Sequence, residues 1–189
     1  LTGIALGIAL FCDAITAPLA GSISDRLETR WGRRHPMMMG AALPLGISII
    51  ALFNPPTGMS EMFYFGWLIT FAVSARLFLT LYHIPHLALG AEMAQDYLDR
   101  TRVYSFSQFF GTVGSAGFGF LMLTLFFPTT EEFSHGLLNT NGYGPFSTAA
   151  AIGVFVSISL CVAGTLREIP HLPPANFKTP ERLNPRRLF

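Results

Sequence analysis

Charge is what this sequence has least of. Asp, Glu, Lys and Arg make up 12% of its 189 residues, about half the share of an ordinary soluble domain. With 51% hydrophobic residues and a mean hydropathy of +0.47, that shortage argues against a soluble domain and for a polytopic helical membrane protein. A net charge of +1 gives no footing for nucleic acid. Cysteine is scarce as well. Cys12 and Cys161 both lie in apolar runs with no CxxC spacing, so they read as buried free thiols, not as a disulfide or a metal pair. A signal-peptide pattern, a coiled coil and long low-complexity tracts are all missing. The first residue is Leu1, and the chain is expected to begin inside or just before a membrane span.

The absence of basic residues from particular places says more. Spanning a bilayer takes about 20 largely apolar residues, and five runs qualify, roughly 1–21, 37–53, 62–90, 104–127 and 146–166. Segments 54–61 and 128–145 hold no Lys or Arg, only the acids Glu61, Glu131 and Glu132. The segment 22–36 holds Arg26, Arg30, Arg33 and Arg34. Arg100 and Arg102 fall in 91–103. Arg167, Lys178, Arg182, Arg186 and Arg187 fall in 167–189. By the positive-inside rule these three segments are cytoplasmic, and only Arg76 lies within a span. The Leu1 end is then extracytoplasmic, and one further span ahead of it would bring the count to six. The tail, with Pro170, Pro173, Pro174, Pro180 and Pro185, cannot continue a helix and reads as a linker. The expected fold is an all-α polytopic membrane protein: five helices over 1–166 from one six-helix half of a twelve-helix transporter, with 167–189 as the central linker.

Polar side chains inside the spans stand out against this background. A carboxylate such as Asp13 costs at least about 2.5 kcal/mol in hydrocarbon unless it is paired, protonated or facing water. Arg76 is its natural partner. Both helices run inward: Asp13 is about 13 Å before the inner end of its apolar run and Arg76 about 21 Å past the outer end of its own, which puts both in the inner half of a core about 30 Å thick. His83 is two turns beyond Arg76 on the same face and can exchange a proton near neutral pH. Gln108, Thr16 and Tyr82 can hydrogen-bond a polar solute or a neighbouring helix. Gly111, Gly114, Gly117 and Gly119, with Ser115 and Ala116, form small-residue patterns that allow close helix approach.

Two blocks carry a family resemblance. DAITAPLAGSISDRLETRWGRRHP, through Asp13, Ala14, Pro18, Gly21, Arg30, Trp31, Gly32 and Arg33, resembles the second helix and following loop of the glycoside–pentoside–hexuronide:cation symporters. These form the melibiose-permease branch of the major facilitator superfamily. IPHLALGAEMAQDYLDRTRVYSF, through Pro85, Leu89, Glu92, Asp96, Arg100, Thr101 and Arg102, resembles that family's fourth helix and its loop. The resemblance implies helices II to VI of the N-terminal half, a plasma-membrane location (the inner membrane in bacteria), no cofactor, a sugar or glycoside as solute and a coupling cation. It implies coupling at Asp13 and a conformational latch among Asp25, Arg26, Arg33, Arg34, Glu92, Arg100 and Arg102; by their own chemistry His83 is the other proton carrier, and Thr16, Arg76, Tyr82 and Gln108 are the substrate contacts expected. Three positions depart from the pattern. Ala17 replaces a second acid, His83 an aspartate and Gln108 an arginine, which favours a proton over sodium.

Other readings exist. An amphipathic, lipid-like solute is one. An intramembrane metal enzyme built on His83, His86, Glu92 and Asp13 is another, but His35, His135 and His171 fall in loops and the ligand count fails. A scaffold without transport would not need polar residues inside its spans.

Overall fold

A computed structural model describes residues 2–27, 29, 31–94, 96–129 and 135–167 of the chain. Five long helices follow one another: α1 (Thr2–Arg26), α2 (His35–Phe53), α3 (Glu61–Met93), α4 (Tyr97–Phe126) and α5 (Tyr143–Thr165). Two short 3₁₀ turns precede α5, and no strand forms among the described residues. All five helices are long and apolar enough to cross a membrane. Large apolar side chains such as Phe11, Leu43, Phe110, Phe120 and Leu160 are exposed around them, as helices facing lipid require.

Every helix outruns its apolar stretch, because local chemistry rather than hydropathy sets its ends. Ser60 caps α3 by accepting from the Phe63 amide at 3.3 Å, and Asp96 opens α4 by accepting from the Tyr97 amide at 2.8 Å. Pro36 stands in the first turn of α2, where its missing N–H costs nothing. Within the expected loop 91–103, α3 therefore runs on to Met93 and α4 begins at Tyr97, and Arg100 and Arg102 belong to the first turns of α4. His35, expected in a loop, is the first residue of α2 and is buried. The expected linker lies outside the described residues apart from Arg167, which is exposed.

Packing is concentrated in α1, α2, α3 and α5. Met38, Ala42 and Leu45 of α2, Leu89 of α3, and Ile158 and Val162 of α5 form the core. Gly46 lets α2 approach α5 closely, since a Cβ there would stand 3.5 Å from that of Ala151. His35 Nε2 and Thr165 Oγ1, 2.9 Å apart, tie the two helices at one end. Asn54 donates to Ser147 Oγ at 2.8 Å at the other. Helix α4 differs: Met122 is its only buried residue. A Cβ at Gly111, Gly114, Gly117 or Gly119 would meet nothing within 4 Å, so the close approach expected of these glycines does not occur among the described residues.

Candidate functional site

Asp13 is one residue short of the midpoint of α1, and Arg76 one short of the midpoint of α3. Measured against the observed helix ends, the pair is at mid-helix rather than in the inner half, because α1 runs to Arg26 and α3 to Met93. The Arg76 Nη1 is 3.8 Å from Asp13 Oδ2. Thr80, buried one turn beyond Arg76, donates its hydroxyl to Asp13 Oδ1. Thr80 is the residue that sequence reading missed. Its signal was the four-residue spacing from Arg76, which puts both on the face that meets α1.

A cavity of about 780 Å³ opens beside this cluster and takes lining residues from all five helices. Arg76, Tyr82, Ser115 and Ser157 are its polar residues, set among side chains such as Leu45, Leu79, Phe118 and Ile158. Tyr82 thus fronts the cavity. The other two expected substrate contacts do not. Thr16 donates to its own helix at the Asp13 carbonyl, 3.2 Å away, and Gln108 is exposed on α4 outside the lining. His83 is also exposed and away from the cavity. The histidine that turns inward is His86, stacked on Tyr82 with ring centroids 5.3 Å apart and with Nδ1 3.5 Å from Cys161 Sγ. Among the described residues no group of three or more His, Cys, Asp or Glu is placed to hold a metal ion.

A second cluster forms where α1, α2 and α3 meet at the arginine-rich end. Glu92 Oε1 accepts from Arg34 Nη2 at 2.6 Å and from Arg33 Nη2 at 3.1 Å. Arg34 Nη2 also reaches Asp25 Oδ1 at 3.2 Å. Asp25 and Glu92 are the penultimate residues of α1 and α3, and the two arginines directly precede α2. Each charge is therefore on the end of its helix that the macrodipole disfavours. Only the assembled arrangement pairs them.

The remaining expected latch residues are elsewhere. Arg26 is exposed and makes no ion pair with a described residue. Arg100 donates to the Ala91 carbonyl at 3.4 Å, capping the end of α3. Arg102 pairs with Asp99 on its own helix at 3.5 Å, both side chains exposed. Tyr104 adds a hydroxyl bond to the Leu87 carbonyl at 3.1 Å, so the start of α4 is fastened to α3 through backbone rather than through the ion network.

Comparison with known proteins adds to this geometry. A family model described as MFS/sugar transport protein matches residues 1–189. The chain is 34% identical over 120 residues to a symporter of Synechocystis sp., sll1374, itself uncharacterized, covering 61% of this chain and 22% of that protein. It is 28% identical over 178 residues to the inner membrane symporter YicJ of Escherichia coli, covering 93% of this chain and 37% of that protein. It is 23% identical over 154 residues to the isoprimeverose transporter of Lactiplantibacillus pentosus, covering 80% of this chain and 30% of that protein. The chain thus spans well under half the length of these relatives.

Proposed function

This chain belongs to the MFS/sugar transport protein family, a multi-pass membrane family, and from that premise we propose that it works in a cation-coupled symporter. The solute is a sugar or glycoside, moved by alternating access. The carrying observation is the Asp13–Arg76–Thr80 cluster at mid-helix, beside a cavity that all five helices line. A mid-helix carboxylate next to a solute-sized cavity is where an ion and a solute can influence each other's binding.

Asp13 is the coupling acid in this reading, and its neighbourhood supports it over the exposed His83. Tyr82, Ser115 and Ser157 supply hydroxyls for a polar solute. The Asp25–Arg34–Glu92–Arg33 network is the latch that breaks when the helix ends separate. The arginine-rich end faces the cytoplasm by the positive-inside rule, and the membrane is the plasma membrane, or the inner membrane in bacteria. A relative named for isoprimeverose supports a sugar over an amphipathic lipid-like solute, and relatives named as symporters and transporters support transport over metal-dependent catalysis.

The test is uptake by proteoliposomes carrying the purified protein, screened over sugars and glycosides under an imposed proton gradient and then a sodium gradient. Gradient-driven accumulation of one solute is the expected result. Equilibration without accumulation under either gradient would sink the coupled reading, and no uptake of any sugar or glycoside would sink the solute class.

A further inference from the structure

The arrangement around Asp13 bears on which cation can reach it. Asp13 has two carboxylate oxygens and each already has a neighbour. Oδ1 accepts from the Thr80 hydroxyl. Oδ2 faces the Arg76 guanidinium at 3.8 Å, longer than a hydrogen bond and too short to seat an ion between the two groups. An arginine keeps its positive charge at every physiological pH, so Arg76 is a permanent cation attached to the wall of the cavity. The Thr16 hydroxyl spends its hydrogen on the Asp13 carbonyl, and Ala17, one turn after Asp13, carries no side-chain oxygen.

From this geometry we infer that Arg76 is the residue that sets ion specificity: its guanidinium takes the place a sodium ion would occupy beside Asp13 and Thr80, so that this site binds no sodium. The inference rests on the symporter reading above only in taking Asp13 as the ion-facing acid. Its physical content is one of space and charge. A hard cation such as sodium binds through several oxygens at once. To gather Oδ2 and the Thr80 oxygen it would have to push the guanidinium away from Asp13, separating two opposite charges and crowding a cation against a cation. A proton needs one lone pair of one oxygen and no shell of further oxygens, so its binding to Asp13 does not require the place that Arg76 fills.

The experiment reads ion binding directly and needs no identified solute. The protein purified in detergent is melted in sodium chloride and, at equal ionic strength, in choline chloride. For the native protein the melting temperature is expected to be the same in both salts. Arg76→Gln is expected to gain stabilisation that rises and saturates with sodium, and the double variant Arg76→Gln with Asp13→Asn is expected to lose it. Arg76→His covers the case in which the glutamine variant does not fold. Its imidazole is charged near about pH 5.5 and neutral near about pH 8, so the sodium response should be absent at the lower pH and present at the higher. Saturable sodium stabilisation of the native protein would overturn the inference, as would the failure of both variants to acquire it. Because the readout is melting rather than uptake, a protein that transports no sugar yet gains sodium binding in Arg76→Gln would refute the function and leave this inference standing.

Discussion

Two clusters of opposite charges tie α3 to α1, and they are built differently. At the helix ends, Arg34 is nearly buried and a single Glu92 oxygen collects two guanidinium groups within 3.1 Å. At mid-helix, Asp13 and Arg76 are 3.8 Å apart, with side chains 30% and 43% exposed, and Arg76 lines the cavity. The first has the tightness of a fastening, in which three helix ends carrying charges of the disfavoured sign become stable only together. The second has the looseness of a site whose members must change partners. A transporter needs both kinds of contact: one whose rupture separates two states, and one that an ion or solute can alter within a state.

Substitutions can break or sharpen this contrast. Asp13→Asn should have the largest functional effect, abolishing accumulation of solute in proteoliposomes while the protein elutes and melts like the native one. Normal accumulation would remove Asp13 from the coupling step. Glu92→Ala should have the largest structural effect. It leaves two arginines without their shared acceptor, and a loss of about 2 kcal/mol is expected, less than for a fully buried pair because the site is partly open. Thermal unfolding in detergent measures it, and an unchanged melting curve would reduce the cluster to a topology signal. Thr80→Val should weaken ion or solute binding about fivefold through the loss of one hydrogen bond of about 1 kcal/mol. Titration calorimetry with the identified solute at two pH values checks this, and equal affinities would mean that Thr80 does not orient Asp13. Asp25→Ala should cost only about 0.5 kcal/mol, since Asp25 is 56% exposed. A loss as large as that of Glu92→Ala would show that both acids share the fastening equally. Arg102→Ala should change neither stability nor uptake, because its pair with Asp99 is largely exposed.

Much of the fold was legible in the sequence, for a physical reason. A membrane segment must satisfy its whole backbone internally, so a run of apolar residues dictates a helix with little help from context. The two motif blocks likewise pointed to Asp13 and to the arginine-rich loop. Helix ends were less legible. Hydropathy marks where lipid stops, whereas Ser60, Asp96 and Pro36 mark where the backbone finds its caps, and the two disagree by several residues. That disagreement displaced Arg100 and Arg102 from a loop onto α4 and moved His35 into the buried start of α2.

The site divides in the same way. Asp13 and Arg76 were singled out because a lone charge in an apolar run is expensive wherever it lies in the fold. Thr80 was not, because a hydroxyl can always bond its own helix, as Thr16, Thr70 and Ser74 do here. Only the packing of α1 on α3 turned Thr80 toward a carboxylate. His83 and His86 show the converse. Both were candidates by composition, and three residues of helical rotation turned one out of the bundle and the other against Tyr82 and Cys161. Composition and hydropathy by themselves determined that this chain forms five membrane helices and which of its charges must find partners, because those costs are local. The choice of partner was decided by tertiary structure alone, because it depends on the rotation and depth at which each helix meets the next.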